Sequence, residues 1–445
     1  MCSAILSAML GFTTAVAAPQ GGDSRDLLSA ARGAAPALCA LAIDGVGRGG
    51  GHGFDAPSLP VTTAVRERLR GRGAAPSAEE AKALVGALGA GDPCERHMAA
   101  TLLGRSGSAP LAAEVAGRLG AAAAPERAAV LLALGTMEAS AQAAPVARAL
   151  GDGVREVRAN AAWALGRMEA KGQVPALQAA LKDREPMVRA ASATALGRME
   201  AKAAVEALGK VLRADEDAEV RRTAAWALGE LEDRAGAGAL AAALAGDKAV
   251  PVREMAAWAL GNLEAKDQVE ALSRALSDDA IEVRETAAWA LGELEARGAE
   301  PALAKALADK APEVRETAAW ALGQLELRTA PPGLVAALKD PEADVRLAAA
   351  WALSENRGPR GGRRDRGRAP GREGRQGAQG RDPRARRARR AARGGAEGAA
   401  RGEGPRDARA RGACARGPGA PVAVALAAPA APAVALRGAA EGVRG

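Results

Sequence analysis

A Leu-Gly pair returns along this chain at Gly104, Gly135, Gly166, Gly197, Gly229, Gly261, Gly292 and Gly323, at intervals of 31 or 32 residues. Ser354 takes the same place in a ninth unit. Units seven and eight are nearly the same text, Glu282 to Glu295 against Glu313 to Glu326. A period of this length holds one supersecondary element per unit, and such an element buries its apolar stripe only against its neighbours.

Each unit reads as two helices. Leu272 and Leu276, or Leu303 and Leu307, lie four residues apart in the first. Val283, Ala287 and Leu291 do the same in the second, so each set shares one helix face. Asp278 and Asp309, at the connecting turn, are expected to cap the second helix, and the Gly of the Leu-Gly pair to cap its C-terminus. Units one and two lack the Val-Arg pair of the later ones.

The recurring Asp…Val-Arg…Ala-Ala-x-Ala-Leu-Gly pattern resembles the short HEAT repeats, in particular the HEAT-like repeats named from phycobilisome lyases. The resemblance covers residues 78 to 356. It implies an all-α solenoid of about nine antiparallel helix pairs, a right-handed superhelix whose second helices line a concave binding face.

Composition agrees with helix pairs packed through Ala and Leu: aromatics are 2%, Tyr is absent, and the six Trp fall between positions 163 and 351. The net charge of +8 misleads if taken whole. Residues 357 to 445 hold 22 Arg, no Lys and seven acids, a net +15, which leaves the rest of the chain at −7. The repeats alone therefore give no ground for a nucleic-acid partner. Cys2, Cys39, Cys94 and Cys414 form no C-x-x-C pair, and isolated thiols are expected.

Four segments follow. Residues 1–20 are apolar with a small-x-small pattern at Ala15-Val16-Ala17 but no basic n-region. They read as a signal peptide, as the remnant of a membrane helix, or as the product of a mis-set start codon. Residues 21–77 read as a degenerate helical segment and a Gly-rich linker, too poor in Lys-Ser/Thr for a phosphate loop. Residues 78–356 are the repeat domain. Residues 357–445, almost all Arg, Gly, Ala and Pro, cannot bury a core and are expected to be disordered. They read either as out-of-frame translation of GC-rich DNA or as a basic arm for RNA or anionic surfaces.

Two constellations recur in phase. One is an Asp six residues before an Arg: Asp152/Arg158, Asp183/Arg189, Asp215/Arg221, Asp247/Arg253, Asp278/Arg284, Asp309/Arg315 and Asp340/Arg346. A catalytic carboxylate would occur once, so this ladder is expected to tie one unit to the next by bidentate Arg–carboxylate bonds. The other is a column of Trp163, Trp226, Trp258, Trp289, Trp320 and Trp351, broken by Thr194. Trp289 is rotated about 120° from Val283 around the helix, toward its open edge. Either the indoles pack the seams or they form a binding strip. Glu254, Glu285 and Glu316 lie one turn before a Trp, and Glu230 and Glu293 one turn after. Trp226, Trp258, Trp289 and Trp320, with Glu254, Glu285, Glu316 and Glu293, are the candidate partner-binding set, suited to an extended or basic peptide.

Enzymatic signatures are missing. The two His, His52 and His97, form no H-E-x-x-H, and no G-x-S-x-G or Walker motif occurs. The expectation is a non-enzymatic protein-interaction scaffold without cofactors, exported, periplasmic or membrane-associated through its N-terminus, otherwise cytoplasmic. Nucleic acid enters only if the basic tail is genuine. Two alternatives stand beside it: the regulatory HEAT portion of a membrane sensor metallopeptidase whose catalytic part is absent, and a chromophore-lyase-like protein or assembly chaperone.

Overall fold

The computed structural model of the protein describes residues 24–33 and 76–356, apart from positions 105, 107, 122 and 328. The N-terminal apolar stretch, the Gly-rich linker and the Arg-rich tail lie outside the described residues. Everything described is helix or turn.

A first helix, α1 (Ser24–Ala31), precedes nine helix pairs: α2 (Ala78–Ala87) with α3 (Pro93–Gly104), α4 (Ala109–Gly117) with α5 (Ala124–Thr136), and α6 (Ala143–Arg148) with α7 (Arg155–Arg167). The array goes on with α8 (Val174–Ala180) and α9 (Pro186–Arg198), α10 (Val205–Ala214) and α11 (Ala218–Glu230), and α12 (Ala237–Gly246) and α13 (Val250–Asn262). It ends with α14 (Val269–Ala275) and α15 (Ile281–Glu293), α16 (Glu300–Ala306) and α17 (Pro312–Gln324), and α18 (Pro332–Ala337) and α19 (Ala343–Glu355). Two compact bodies meet in sequence at Ala164 and Leu165, inside α7.

In the first body α1 packs on α2 and α3. Arg32 reaches Glu95 with Nε and Nη2 at 3.0 and 2.8 Å, and the Gly33 N–H donates to Asp92 at 3.0 Å. The degenerate helical segment expected within residues 21–77 thus includes a helix, Ser24–Ala31, held against the first repeat. Ser77 opens α2 with a capping box, its hydroxyl accepting from Glu80 N–H while Glu80 accepts from Ser77 N–H.

In the second body the second helices α9, α11, α13, α15, α17 and α19 stack in one layer, and the first helices α10 to α18 in another. Leu196, Leu208, Leu212, Leu228 and Leu231 are wholly buried between them. The second-helix layer is the tighter, because its facing residues are Ala and Gly. Ala225, Ala257, Ala288 and Ala319 have no exposed surface.

Both expected caps are displaced. The Gly of each Leu-Gly pair lies inside the last turn of the second helix rather than beyond it. The residue that turns left-handed is a Glu three positions on: Glu138, Glu169, Glu200, Glu232, Glu264, Glu295 and Glu326 all have φ between 47° and 52°. Around Glu264 a Schellman pair closes the helix, Ala265 N–H to Leu260 O and Glu264 N–H to Gly261 O, both at 3.1 Å. Likewise Ala280, not Asp278, is the N-cap of α15, and Asp278 holds the turn two residues earlier through the Ala280 N–H. Cys94 overturns a third expectation, being disulfide-bonded rather than isolated. Cys2, Cys39 and Cys414 all lie outside the described residues, and pairing across a fold leaves no trace in linear spacing.

Candidate functional site

The arginine ladder joins repeats. Arg284 donates from Nε and Nη2 to the two carboxylate oxygens of Asp309 in the following repeat, both at 2.8 Å. Its remaining nitrogen, Nη1, donates to the carbonyls of Asp278 and Asp279 in its own repeat, at 2.8 and 3.1 Å. Residues six apart in sequence therefore share a backbone contact, and the carboxylate comes from the next unit. The same fork joins Arg189 to Asp215, Arg221 to Asp247, Arg253 to Asp278 and Arg315 to Asp340. In the first body Arg158 grips the carbonyls of Asp152 and Gly153, and Asp183 in the second body accepts from the Glu185 N–H. Arg346 grips the carbonyls of Asp340 and Pro341.

Two ladder members escape a search for Asp six residues before Arg. Arg127 donates to Asp152 at 2.8 and 3.0 Å and to the Ala121 carbonyl. Arg96 grips the carbonyls of Ala90 and Gly91 while its buried Nε has no partner. Repeat register reveals both: Arg127 precedes Arg158 by one period, and Arg96 precedes Arg127 by another.

Burial opposes the charges of Asp247, Asp278 and Asp309. The arginine bonds, the backbone N–H two residues on and two nearby guanidinium charges outweigh it, holding these carboxyls below the ordinary aspartate range. The same hydrogen bonds raise the pKa of Arg253 and Arg284.

The Trp column occupies the seams. A Cβ built on Gly292 would stand 2.6 Å from Cζ3 of Trp320, one on Gly323 2.5 Å from that of Trp351, and one on Gly261 3.1 Å from that of Trp289. The invariant Gly is thus the slot into which the next repeat's indole edge fits. Where Thr194 replaces the Trp, Gly166 is met instead by Ala195, at 2.8 Å. Trp320 is 7% exposed and buried, while the other five indoles are half-buried. Each of the five half-buried rings therefore packs on one edge and keeps part of its surface toward solvent, whereas Trp320 is enclosed.

Those outer edges belong to a stripe. On a second helix the positions at i, i+3, i+7 and i+11 fall within one sector of the helix. In α15 they are Glu282, Glu285, Trp289 and Glu293, and in α17 Glu313, Glu316, Trp320 and Gln324. In α13 they are Pro251, Glu254, Trp258 and Asn262, and in α19 Asp344, Leu347, Trp351 and Glu355. Over these four helices the stripe carries eight acids and no basic residue. Glu285 departs from the expected solvent-facing set, being 5% exposed. Glu254 and Glu316 are half-buried and Glu293 is exposed. In α11 the stripe holds Trp226 and Glu230, with Arg222 paired to Glu219.

Among the described residues no group of His, Cys, Asp and Glu could hold a metal ion, and no helix is long and apolar enough to cross a membrane. His97 lies on α3, where burial pushes its imidazole below the ordinary range.

The profile of the HEAT-repeat family matches residues 143–216, 205–285 and 269–354. No curated protein sequence matches the chain. Among solved structures it is similar to the CpcE–CpcF complex of phycocyanin lyase from Nostoc sp. PCC7120, at 27% identity over 48% of this chain and 87% of that one, TM-score 0.33. Human deoxyhypusine hydroxylase aligns at 26% identity over 55% of this chain and 95% of its own, TM-score 0.27. Kap95p bound to RanGDP aligns at 17% identity over 71% of this chain and 48% of its own, TM-score 0.49. The in-phase pattern, the helix pairs and the profile agree: from residue 143 to residue 354 this chain is an array of HEAT repeats.

Proposed function

We propose that the chain is a protein-binding scaffold whose working surface is the Trp-centred acidic stripe of α13, α15, α17 and α19, and that its ligand is an extended basic segment of a protein. One observation carries this reading: four successive second helices place eight acids, four indoles and no basic residue on one sector, with seven of the acids and three of the indoles at least partly exposed. Inter-repeat packing accounts for the inner edge of each Trp, but gives no reason for every charge on that sector to be negative. A sector of one charge sign beside partly exposed indoles suits a basic segment. Indole faces add cation–π attraction for Arg or Lys.

The test uses fluorescein-labelled deca-arginine and deca-glutamate, followed by anisotropy on the full chain. Binding of the basic probe alone is expected, weakening as salt rises. The variant Glu282→Gln, Glu293→Gln, Glu313→Gln should lose at least tenfold in affinity (about 1.4 kcal/mol) with helical content unchanged. Equal binding of both probes, or no loss in that variant, excludes the stripe as the site. The Cys94 disulfide supports an exported or periplasmic location, since such bonds persist in oxidising compartments. A Cys94 thiol that alkylates freely in the protein isolated from its host without reductant excludes that location.

A further inference from the structure

We infer that Arg96 is a binding point for a carboxylate supplied from outside the repeats, which takes the place held at the other rungs of the ladder by the next repeat's Asp.

The rung at Arg96 lacks its acid. Arg127 lies 31 residues after Arg96 and meets Asp152, 25 residues further on, with Nε and Nη2. The residue 25 positions after Arg96 is Ala121. The two turns have one shape. Asp152 has φ −61° and ψ 148°, Ala121 has φ −58° and ψ 143°, and each carbonyl accepts from Nη1 of the Arg six residues on. Ala121 therefore stands where the carboxylate belongs and brings only a methyl group.

The guanidinium is nonetheless held as in a complete rung. Its Nη1 donates to the carbonyls of Ala90 and Gly91 at 2.5 and 2.8 Å. The group is planar, so anchoring Nη1 fixes the direction of the edge formed by Nε and Nη2. That edge donates to nothing among the described residues, and Nε is the single buried side-chain nitrogen or oxygen among them without a partner. Arg96 is 7% exposed.

The acids nearby are committed elsewhere. Asp92 accepts from the N–H groups of Gly33, Cys94 and Glu95, Glu95 holds Arg32, and Glu126 holds Arg118. Burial accordingly pushes the Arg96 pKa down against the charge of Asp92, whereas the bond to Asp152 raises that of Arg127. A desolvated cation without its anion is costly, and a carboxylate meeting it through two parallel N–H···O bonds relieves that cost. There is room to approach. Gly91 and Gly120, on the two turns of this rung, are exposed, and nothing lies within 4 Å of a Cβ built on either. What Ala121 lacks relative to Asp152 is one carboxylate group, and this sets the chemistry and the size of the ligand.

The experiment uses the full chain with isotope-labelled arginine and follows the Nε–H cross-peak of Arg96 by NMR. The peak is identified by its absence from Arg96→Lys, in which a lysine side chain still reaches the carbonyls of Ala90 and Gly91, or by through-bond correlation to the Arg96 backbone amide if that variant does not fold. At constant ionic strength, exchanging chloride for acetate is expected to shift the peak of the native chain to saturation. In Ala121→Asp the peak should lie at the acetate-bound position without acetate and no longer respond, and the thermal midpoint should rise by about 2–4 °C. The capped peptide acetyl-Gly-Asp-Gly-amide separates two sources of the group. Half-saturation at least tenfold below that of acetate assigns the carboxylate to a side chain of a partner protein, and equal half-saturation assigns it to a small organic acid. Either result supports the inference. A native peak that ignores both acetate and the peptide overturns it. An Ala121→Asp peak that stays at the native position overturns it as well, because the edge would then not point into the rung.

Discussion

Arg284 and Asp309, in neighbouring repeats, share two parallel hydrogen bonds of 2.8 Å, while the third nitrogen of the same guanidinium closes the turn of its own repeat. One side chain thus fixes both the shape of a repeat and its docking to the next. Both partners are largely shielded, at 13% and 11% side-chain exposure. Lys has one nitrogen and no fork, so Arg284→Lys cannot make both sets of contacts. Leaving Asp309 partly desolvated without its partner is expected to cost about 2–3 kcal/mol, below the range for fully buried pairs because some water remains. Urea denaturation followed by circular dichroism should show Arg284→Lys nearly as destabilised as Arg284→Ala. A Lys variant with native stability would show that the fork geometry is immaterial.

The slot between Gly292 and Trp320 predicts a second effect. A methyl group there would lie 2.6 Å from a ring carbon and 3.0 Å from the Cα of Ala321, so the repeats must part. Gly292→Ala is expected to cost about 1–3 kcal/mol despite the better helix propensity of Ala. Gly298→Ala is the control, because nothing lies within 4 Å of its added Cβ. In a Trp320→Ala background the cost of Gly292→Ala should fall, and the coupling in that double-mutant cycle measures the seam. Additive effects would place the clash elsewhere.

These two features mark what a reader of the sequence can and cannot see. The Leu-Gly period and the Leu272/Leu276 and Val283/Ala287/Leu291 patterns expose the helix pairs, since periodicity and burial have the same cause. The ladder is visible as a recurrence, but its pairing is not. Sequence places Asp278 beside Arg284, whereas stacking hands Arg284 the carboxylate of Asp309. The Gly of Leu-Gly looks like a cap because Gly commonly is one, and only the next repeat's indole discloses its use. Arg96 and Arg127 were hidden because their repeats lack the Asp six residues earlier. The mate of Cys94 leaves no linear signal at all.

The left-handed Glu residues give a third prediction. Glu264 is exposed, with φ of 50°, a region that costs a residue with a Cβ roughly 1–2 kcal/mol and costs Gly almost nothing. Gly also enlarges the unfolded ensemble, which offsets part of the gain. Glu264→Gly is therefore expected to raise stability by about 0.5–1 kcal/mol, while Glu264→Ala, which keeps the strained φ, should not. Thermal midpoints of the two variants decide the matter, and a fall in both would mean that the Glu264 side chain itself holds the turn.

The depressed carboxyls predict how the array responds to acid. Asp247, Asp278 and Asp309 titrate lower in the folded protein than in the unfolded chain, where Asp loses its proton near pH ~4. A group with a lowered folded pKa contributes stability that is complete above the unfolded value and disappears as pH falls through the folded one. The clamps should thus act at full strength at neutral pH, weaken below about pH 4 and vanish once the carboxyls are protonated. Asp309→Asn, which keeps an oxygen for the Ala311 N–H but loses the charge facing Arg284, isolates one clamp. Its deficit in thermal midpoint relative to the native chain should be constant from pH 7 to about pH 5 and shrink steadily below about pH 4. A deficit unchanged down to pH 2 would assign the clamp's worth to packing and neutral hydrogen bonds, and the charge of Asp309 would then contribute nothing to the joining of repeats.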